Sequence, residues 1–207
     1  MEKLKNRDHV MLDMETLSLD DQTVVLSISA VKFKIDIINN LDDFKKPLNG
    51  QIFNNTDSIH ISLKIDDQLK KGLVLTEETI KFHLQHNEKF FKDCIGCGEN
   101  TIAKVDTNIA LSSFTEFLTK ISIENQHYVQ PIVWANGAIS DHKWLANLYR
   151  AYNMSYPVDF RNQLCFRTIC QFYPNHRNFT NNHDSFDDCV NQIISLQNIY
   201  QEHINRF

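Results

Sequence analysis

The sequence is poor in residues that break or loosen a chain. Of 207 residues, only five are glycine and four are proline. That argues against disorder and long flexible linkers. Long apolar runs are missing too, so no stretch is fit to span a bilayer. The opening residues, MEKLKNRDHVMLD, lack the apolar segment of a secretory leader. The five cysteines are odd in number and show no disulfide framework, which suits a reducing compartment. The expectation is a cytoplasmic protein with no membrane association. A basic excess is also absent: 21 Lys and Arg stand against 26 Asp and Glu, for a net charge of −5. This excludes a protein whose main task is to coat nucleic acid, because such binding rests on neutralising phosphates. It does not exclude local contact with nucleic acid, and acids clustered to hold cations would tilt the balance this way.

What is present is an ordinary soluble composition, 42% apolar and 23% charged, with 14 Phe and six Tyr to fill a core. There is no internal repeat, low-complexity tract or composition break, so residues 1–207 read as a single domain. Residues 9–14 read as a strand, and 23–34 alternate as a second, with LDDQ turning between them. SIHISLKI, 58–65, reads as a third, so the chain opens on an antiparallel meander. Helical spacing follows over 76–87, with Thr76 as N-cap, and over 107–122, through Ile109, Leu111, Phe114, Phe117, Leu118 and Ile121. PIVWA, 131–135, suits a buried strand. Residues 141–152 form a helix with Trp144, Leu145 and Leu148 on one face. A last helix covers 186–204 through Phe186, Val190, Ile193, Ile194 and Ile204. Strands followed by alternating helix and strand indicate an α/β fold: a mixed sheet, meander plus parallel strands, flanked by helices.

Within the first strand, MLDMET carries Asp13 and Glu15 two residues apart. On a strand, that spacing puts both carboxylates on one face. Side by side in an apolar element they would repel, and burial would force a proton onto one of them. A hard divalent cation, Mg²⁺ or Mn²⁺, resolves both problems. The spacing alone also suits a strand that ends near Met14, with both acids in a solvated loop. Asp141 follows the strand at 131–135, where α/β sites gather, or serves as a plain acid in a helix first turn. NNHDSFDDCVNQI, 181–193, places His183, Asp187 and Asp188 at the mouth of the last helix. Ser185 and Asp188 also match the S-x-x-D capping box, and Asp184 is a further cap candidate.

Taken in order, Asp13, Glu15, Asp141, His183 and Asp188 resemble the DEDDh family of 3′→5′ exonucleases, which has an RNase H-like fold. The resemblance spans about residues 9 to 200. It is strongest to the RNase T-like group, with exonuclease VIII and exonuclease A of the T-even phages. TEETIKFHLQHN is similar to that group's T-x-x-T-I-x-W-W-x-x-Q segment, with Phe82 and His83 in the aromatic slots. VWANGAISD is similar to W-x-N-G-x-x-F-D, and FRNQLCFRTI resembles N-Q-R-D-I-R-T. NHDSFDDC resembles A-H-D-S-x-x-D-C. The chain departs at Ser140, where the group has an aromatic, and at Cys165, where it has Asp.

The resemblance implies hydrolysis of nucleic acid from its 3′ end, releasing nucleoside monophosphates with two Mg²⁺ or Mn²⁺ ions. Asp13, Glu15, Asp141 and Asp188 would be the metal ligands, with Asp13 shared, and His183 the general base. The H-x(4)-D spacing selects Asp188, although a 3.6-residue projection puts Asp187 nearer the apolar stripe. Met14, Thr16 and Leu17 would meet the terminal nucleotide, with Leu17 as a wedge between bases; core packing is the other reading for Met14 and Leu17. Arg167 would contact the phosphate backbone. DNA ranks first because of the phage likeness, which would also place the protein in a host cytoplasm; RNA is the alternative, and a catalytically silent nucleic-acid-binding module the third reading. A monomer or homodimer fits. Lys143, Arg150, Arg161 and Arg177 read mostly as scattered surface charge. His83, His86, Cys94 and Cys97 have the types of a zinc site but irregular gaps, so helix-borne histidines and free thiols are the competing reading.

Overall fold

The computed structural model describes residues 2–44, 53–54, 57–98, 102–124, 129–137, 139–176 and 184–205. A short helix α1 (Glu2–Lys5) leads into strands β1 (His9–Thr16) and β2 (Val25–Phe33). Then follow β3 (Phe53–Asn54), β4 (Ser58–Ser62), α2 (Ile65–Leu69), α3 (Glu77–His86), α4 (Glu88–Ile95) and α5 (Thr107–Glu124). Strand β5 (Ile132–Ala135), α6 (Asp141–Ala151), β6 (Gln163–Cys165), α7 (Phe166–Phe172) and α8 (Ser185–Asn205) complete the chain.

The sheet order is β3-β4-β2-β1-β5-β6. β1, β2, β4 and β3 pair antiparallel, and β1, β5 and β6 pair parallel. This is the mixed α/β sheet expected from the pattern of elements, and it is consistent with the RNase H-like fold that the resemblance implies. The parallel pairing brings the C-terminal ends of β1 and β5 together, with Leu12 opposite Ala135. Asp13 therefore lies beside the exit of β5, which runs into α6. The ladder of β1 and β2 shifts register between Glu15 and Thr16, so Leu26 is the extra residue of a bulge. Bulges bend a strand and re-aim its side chains.

Alternation along β1 divides the core in two. Val10, Leu12 and Met14 pack on one face with Phe114, Phe117 and Ile121 of α5 and Leu145, Leu148 and Tyr149 of α6. Met11 packs on the other with Phe186, Cys189, Val190, Ile193, Leu196 and Tyr200 of α8. Period two places Asp13 and Glu15 with Met11, on the α8 side.

Several details differ from the expected elements. The third strand ends at Ser62, because the chain turns at Lys64 and Ile65 opens α2, with Asp66 and Asp67 in its first turn. The short α1, α2, α4, α7 and β6 were not anticipated; each is too brief to show a period. Ile109 and Ile204 are exposed rather than in their apolar stripes. Among the described residues, no helix is long and apolar enough to cross a membrane.

Candidate active site

One carboxylate group stands out. Oxygens of Asp13, Glu15 and Asp188 all lie within 4.8 Å of one another. Asp13 and Glu15 come from the end of β1 and Asp188 from the first turn of α8. Asp13 is 8% and Glu15 7% exposed, so both acids sit in a largely dry place. Burial raises the pKa of Asp13 well above the ordinary carboxylate range, and Asp141, Glu15 and Asp188 push it further. The Gln192 side chain opposes this by donating its amide N–H to Asp13 Oδ1 at 3.0 Å. Glu15 is likewise raised well above its ordinary range, first by burial, then by Asp188, Asp184 and Asp141. Without a cation, these acids hold protons that they would shed in water.

Asp141 is outside the tight group but close enough to act on Asp13. Its Oδ2 accepts from the Gly137 N–H at 3.1 Å and the Ser140 hydroxyl at 3.3 Å. Burial raises it to about 6, and these hydrogen bonds and Arg167 hold it from going further. A Cβ on Gly137 would stand 2.3 Å from Ser140 Oγ and 3.8 Å from the Arg167 guanidinium carbon. Glycine thus permits this turn, and Arg167, on α7, borders it. Ser140, noted as a departure from the aromatic pattern, here binds the acid it precedes.

The start of α8 is arranged differently from a capping box. Asp184 is the cap: its Oδ1 accepts from the N–H groups of Phe186 at 3.1 Å and Asp187 at 3.2 Å. The Ser185 hydroxyl is used elsewhere, meeting Ser27 Oγ at 2.9 Å and Ser29 Oγ at 2.7 Å on β2. Asp188, which the box would have tied to the backbone, instead joins Asp13 and Glu15. Asp187 is not in that group; its carbonyl accepts from the Asn191 amide at 2.9 Å. His183 lies outside the described residues, as does Arg177.

A groove of about 500 Å³ opens beside the acids, lined by Met14, Glu15, Thr16, Ser18, Leu19 and Phe82 among others. Met14 and Thr16 reach it although both are buried. Leu17 does not: it is 2% exposed and packs in the core, the other reading given for it. Leu19, 79% exposed, is the leucine on the groove. In the sequence Leu19 stands out only as the first residue of the LDDQ turn.

His83 and His86 have structural partners. The buried His83 donates from Nε2 to the Thr16 carbonyl at 2.8 Å and stacks on Phe91. His86 stacks on Phe82, with ring centroids 4.5 Å apart. Cys94 is buried, with its thiol raised to about 12 by burial, and Cys97 is exposed. These four do not form a metal group; among the described residues only Asp13, Glu15 and Asp188 do. The arrangement is that of the competing reading, helix-borne histidines and free thiols. Gln192, Ser27 and Ser29 carry no mark in the sequence, because their roles depend on cross-strand register and helix docking, not on local spacing.

The donor set matches a hard divalent cation: three carboxylates, all-oxygen, two of them buried with little other compensation. No curated protein matches this chain. A family model, the 3'-5' exoribonuclease Rv2179c-like domain, matches residues 8–200, a span that takes in β1, α6, the described start of α8 and every acid described above. The chain belongs to the 3'-5' exoribonuclease Rv2179c-like domain family.

Proposed function

We propose that this protein is a metal-dependent 3′→5′ exonuclease that acts on RNA and releases nucleoside monophosphates. The observation that carries this reading is the Asp13–Glu15–Asp188 group, two of its acids buried, at the edge of a groove of about 500 Å³. The family description favours RNA, the alternative of the sequence reading, over DNA, which the phage likeness of NHDSFDDC still supports.

Asp13, Glu15 and Asp188 would hold a divalent cation, Mg²⁺ or Mn²⁺, with Asp141 toward a second. Bound there, such ions neutralise phosphate charge and lower the pKa of a coordinated water. The chain's own residues do the rest. Gln192 holds Asp13 in one orientation through its amide. Gly137 and Ser140 hold Asp141 in the same way. Met14, Thr16 and Leu19, with Phe82, line the wall against which a terminal nucleotide would rest. His83 fixes the backbone of that wall by donating to the Thr16 carbonyl. Arg167, beside the Asp141 turn, offers a cation to the phosphate. His183, next in sequence to the helix cap Asp184, would accept the proton of the attacking water, since an imidazole titrates near neutral pH. The whole of residues 1–207 would act as one catalytic domain, as monomer or homodimer.

The test uses 5′-labelled RNA, single-stranded DNA and duplex DNA, each with Mg²⁺, Mn²⁺ or EDTA. A ladder shortening from the 3′ end, fastest on RNA and lost in EDTA and in Asp13→Asn, is expected. Faster loss of DNA would favour the phage-like reading. Intact substrates throughout would favour a binding module without catalysis.

A further inference from the structure

The catalytic reading leaves unused a buried polar cluster that lies beside the acids. Ser27, Ser29 and Ser185 have no exposed surface, and His60 is 4% exposed. Ser185 Oγ lies 2.9 Å from Ser27 Oγ and 2.7 Å from Ser29 Oγ, and Ser29 Oγ lies 2.7 Å from His60 Nδ1. The cluster joins β4, β2 and the first residue of α8. It is also in register with the acids: Ser29 pairs with Asp13 across the ladder, and Ser27 with Glu15. Cross-strand partners share a face, so acids on β1 and hydroxyls on β2 form one patch beneath the first turn of α8.

We propose that Ser185 is a positioning residue, a peg whose seat between Ser27 and Ser29 sets where Asp188 stands relative to Asp13 and Glu15. This rests on the metal-seat reading above. Three arguments support it. Ser27 and Ser29 are two apart on one strand, so an oxygen bonded to both cannot slide along β2 in either direction without losing a bond. Second, with His60 Nδ1 as the acceptor the hydroxyl protons close as a chain: Ser27 then donates to Ser185, Ser185 to Ser29, and Ser29 to His60 Nδ1. Every buried hydroxyl is then used once as a donor, and any shift of the helix would orphan one. Third, Ser185 is the first residue of the turn that brings Asp188 to Asp13 and Glu15, one turn before Asp188, so its seat on β2 fixes that end of α8 on the sheet. One and two turns further on, Cys189 and Gln192 continue the same inner face, with contacts to the Met11 carbonyl at 3.4 Å and to Asp13.

The test compares wild type with Ser185→Ala and with the double variant Ser27→Ala/Ser29→Ala. Ser27→Ala alone, which keeps the Ser185–Ser29 bond, serves if either fails to fold. Thr115→Val is the structural control, since it removes a hydroxyl bonded to Tyr149 on the opposite face of the sheet. Mn²⁺ affinity is measured by electron paramagnetic resonance, and amide exchange of residues 186–188 is measured in EDTA. The peg variants should bind Mn²⁺ about 10- to 100-fold more weakly and exchange faster in the first turn of α8. Thr115→Val should do neither. Peg variants within twofold of wild type in affinity, or with first-turn exchange no faster than the control's, overturn the proposal. If wild type binds Mn²⁺ no better than Asp13→Asn, the metal seat itself fails, and exchange in EDTA judges the peg alone.

Discussion

At the scale of the residue, chemistry is assigned by neighbours and not by type alone. Asp187 and Asp188 are adjacent acids on one helix, yet only Asp188 reaches Asp13 and Glu15. Asp188→Asn should lower turnover on labelled RNA by at least about a hundredfold, the equivalent of about 2.7 kcal/mol. Asp187→Asn should stay within a few-fold of wild type; the reverse order would move the ligand to Asp187. Gln192 offers a second residue-level test. It is 4% exposed and donates to Asp13 Oδ1. Gln192→Leu keeps the volume and removes the donor, so Mn²⁺ binding, followed by calorimetry, should weaken about tenfold. Unchanged affinity would show that Asp13 needs no such orientation.

At the scale of the element, α8 is the decisive piece, because its first turn brings an acid to a strand from the other end of the chain. Its cap should be separable from its chemistry. Asp184→Ala removes the acceptor for the Phe186 and Asp187 amides and should cost about 1 kcal/mol in denaturant unfolding, whereas Asp184→Asn, a good cap, should cost far less. Equal losses would mean that charge, not capping, is what Asp184 supplies. Elements with a clear period were legible in the sequence: β1, β2, β5, α3, α5, α6 and α8 lie close to their expected bounds. Asp13 and Glu15 share a face because a strand has period two, and that too could be read directly. What could not be read depends on docking. Ser185 matches a local capping pattern, but burial against Ser27 and Ser29 takes its hydroxyl for the sheet. Leu17 follows the acids as a wedge would, but the turn from β1 into Leu19 buries Leu17 and leaves Leu19 on the groove.

At the scale of the whole molecule, the fold gathers acids under burial and so links stability to protons and cations. Asp141 is raised from its ordinary 3.8 to about 6, and Asp13 and Glu15 are raised well above their usual range. Between the ordinary and the raised values the native state holds protons that the unfolded chain has lost. The metal-free protein therefore loses stability from these groups as pH rises through that window. A bound cation must displace those protons, so the stabilisation by Mn²⁺ should grow as pH rises from about 5 to 8. Buried His9 and His142, both lowered to about 4, act in the opposite sense. Their contribution is complete above pH 6.5 and is lost as pH falls toward 4, with or without metal, so it cancels in the difference. Melting temperatures in Mn²⁺ minus those in EDTA, measured across pH, should rise; a flat difference would count against cation binding at the acids. The central claim, that β1 and α8 build the metal seat of a 3′→5′ exonuclease, is tested most directly by anomalous diffraction from crystals grown with Mn²⁺ and a nucleoside 5′-monophosphate. The account predicts a manganese peak between Asp13, Glu15 and Asp188, with the nucleotide in the groove bounded by Met14, Leu19 and Phe82. Manganese or nucleotide bound elsewhere, with those three carboxylates bare, would contradict it.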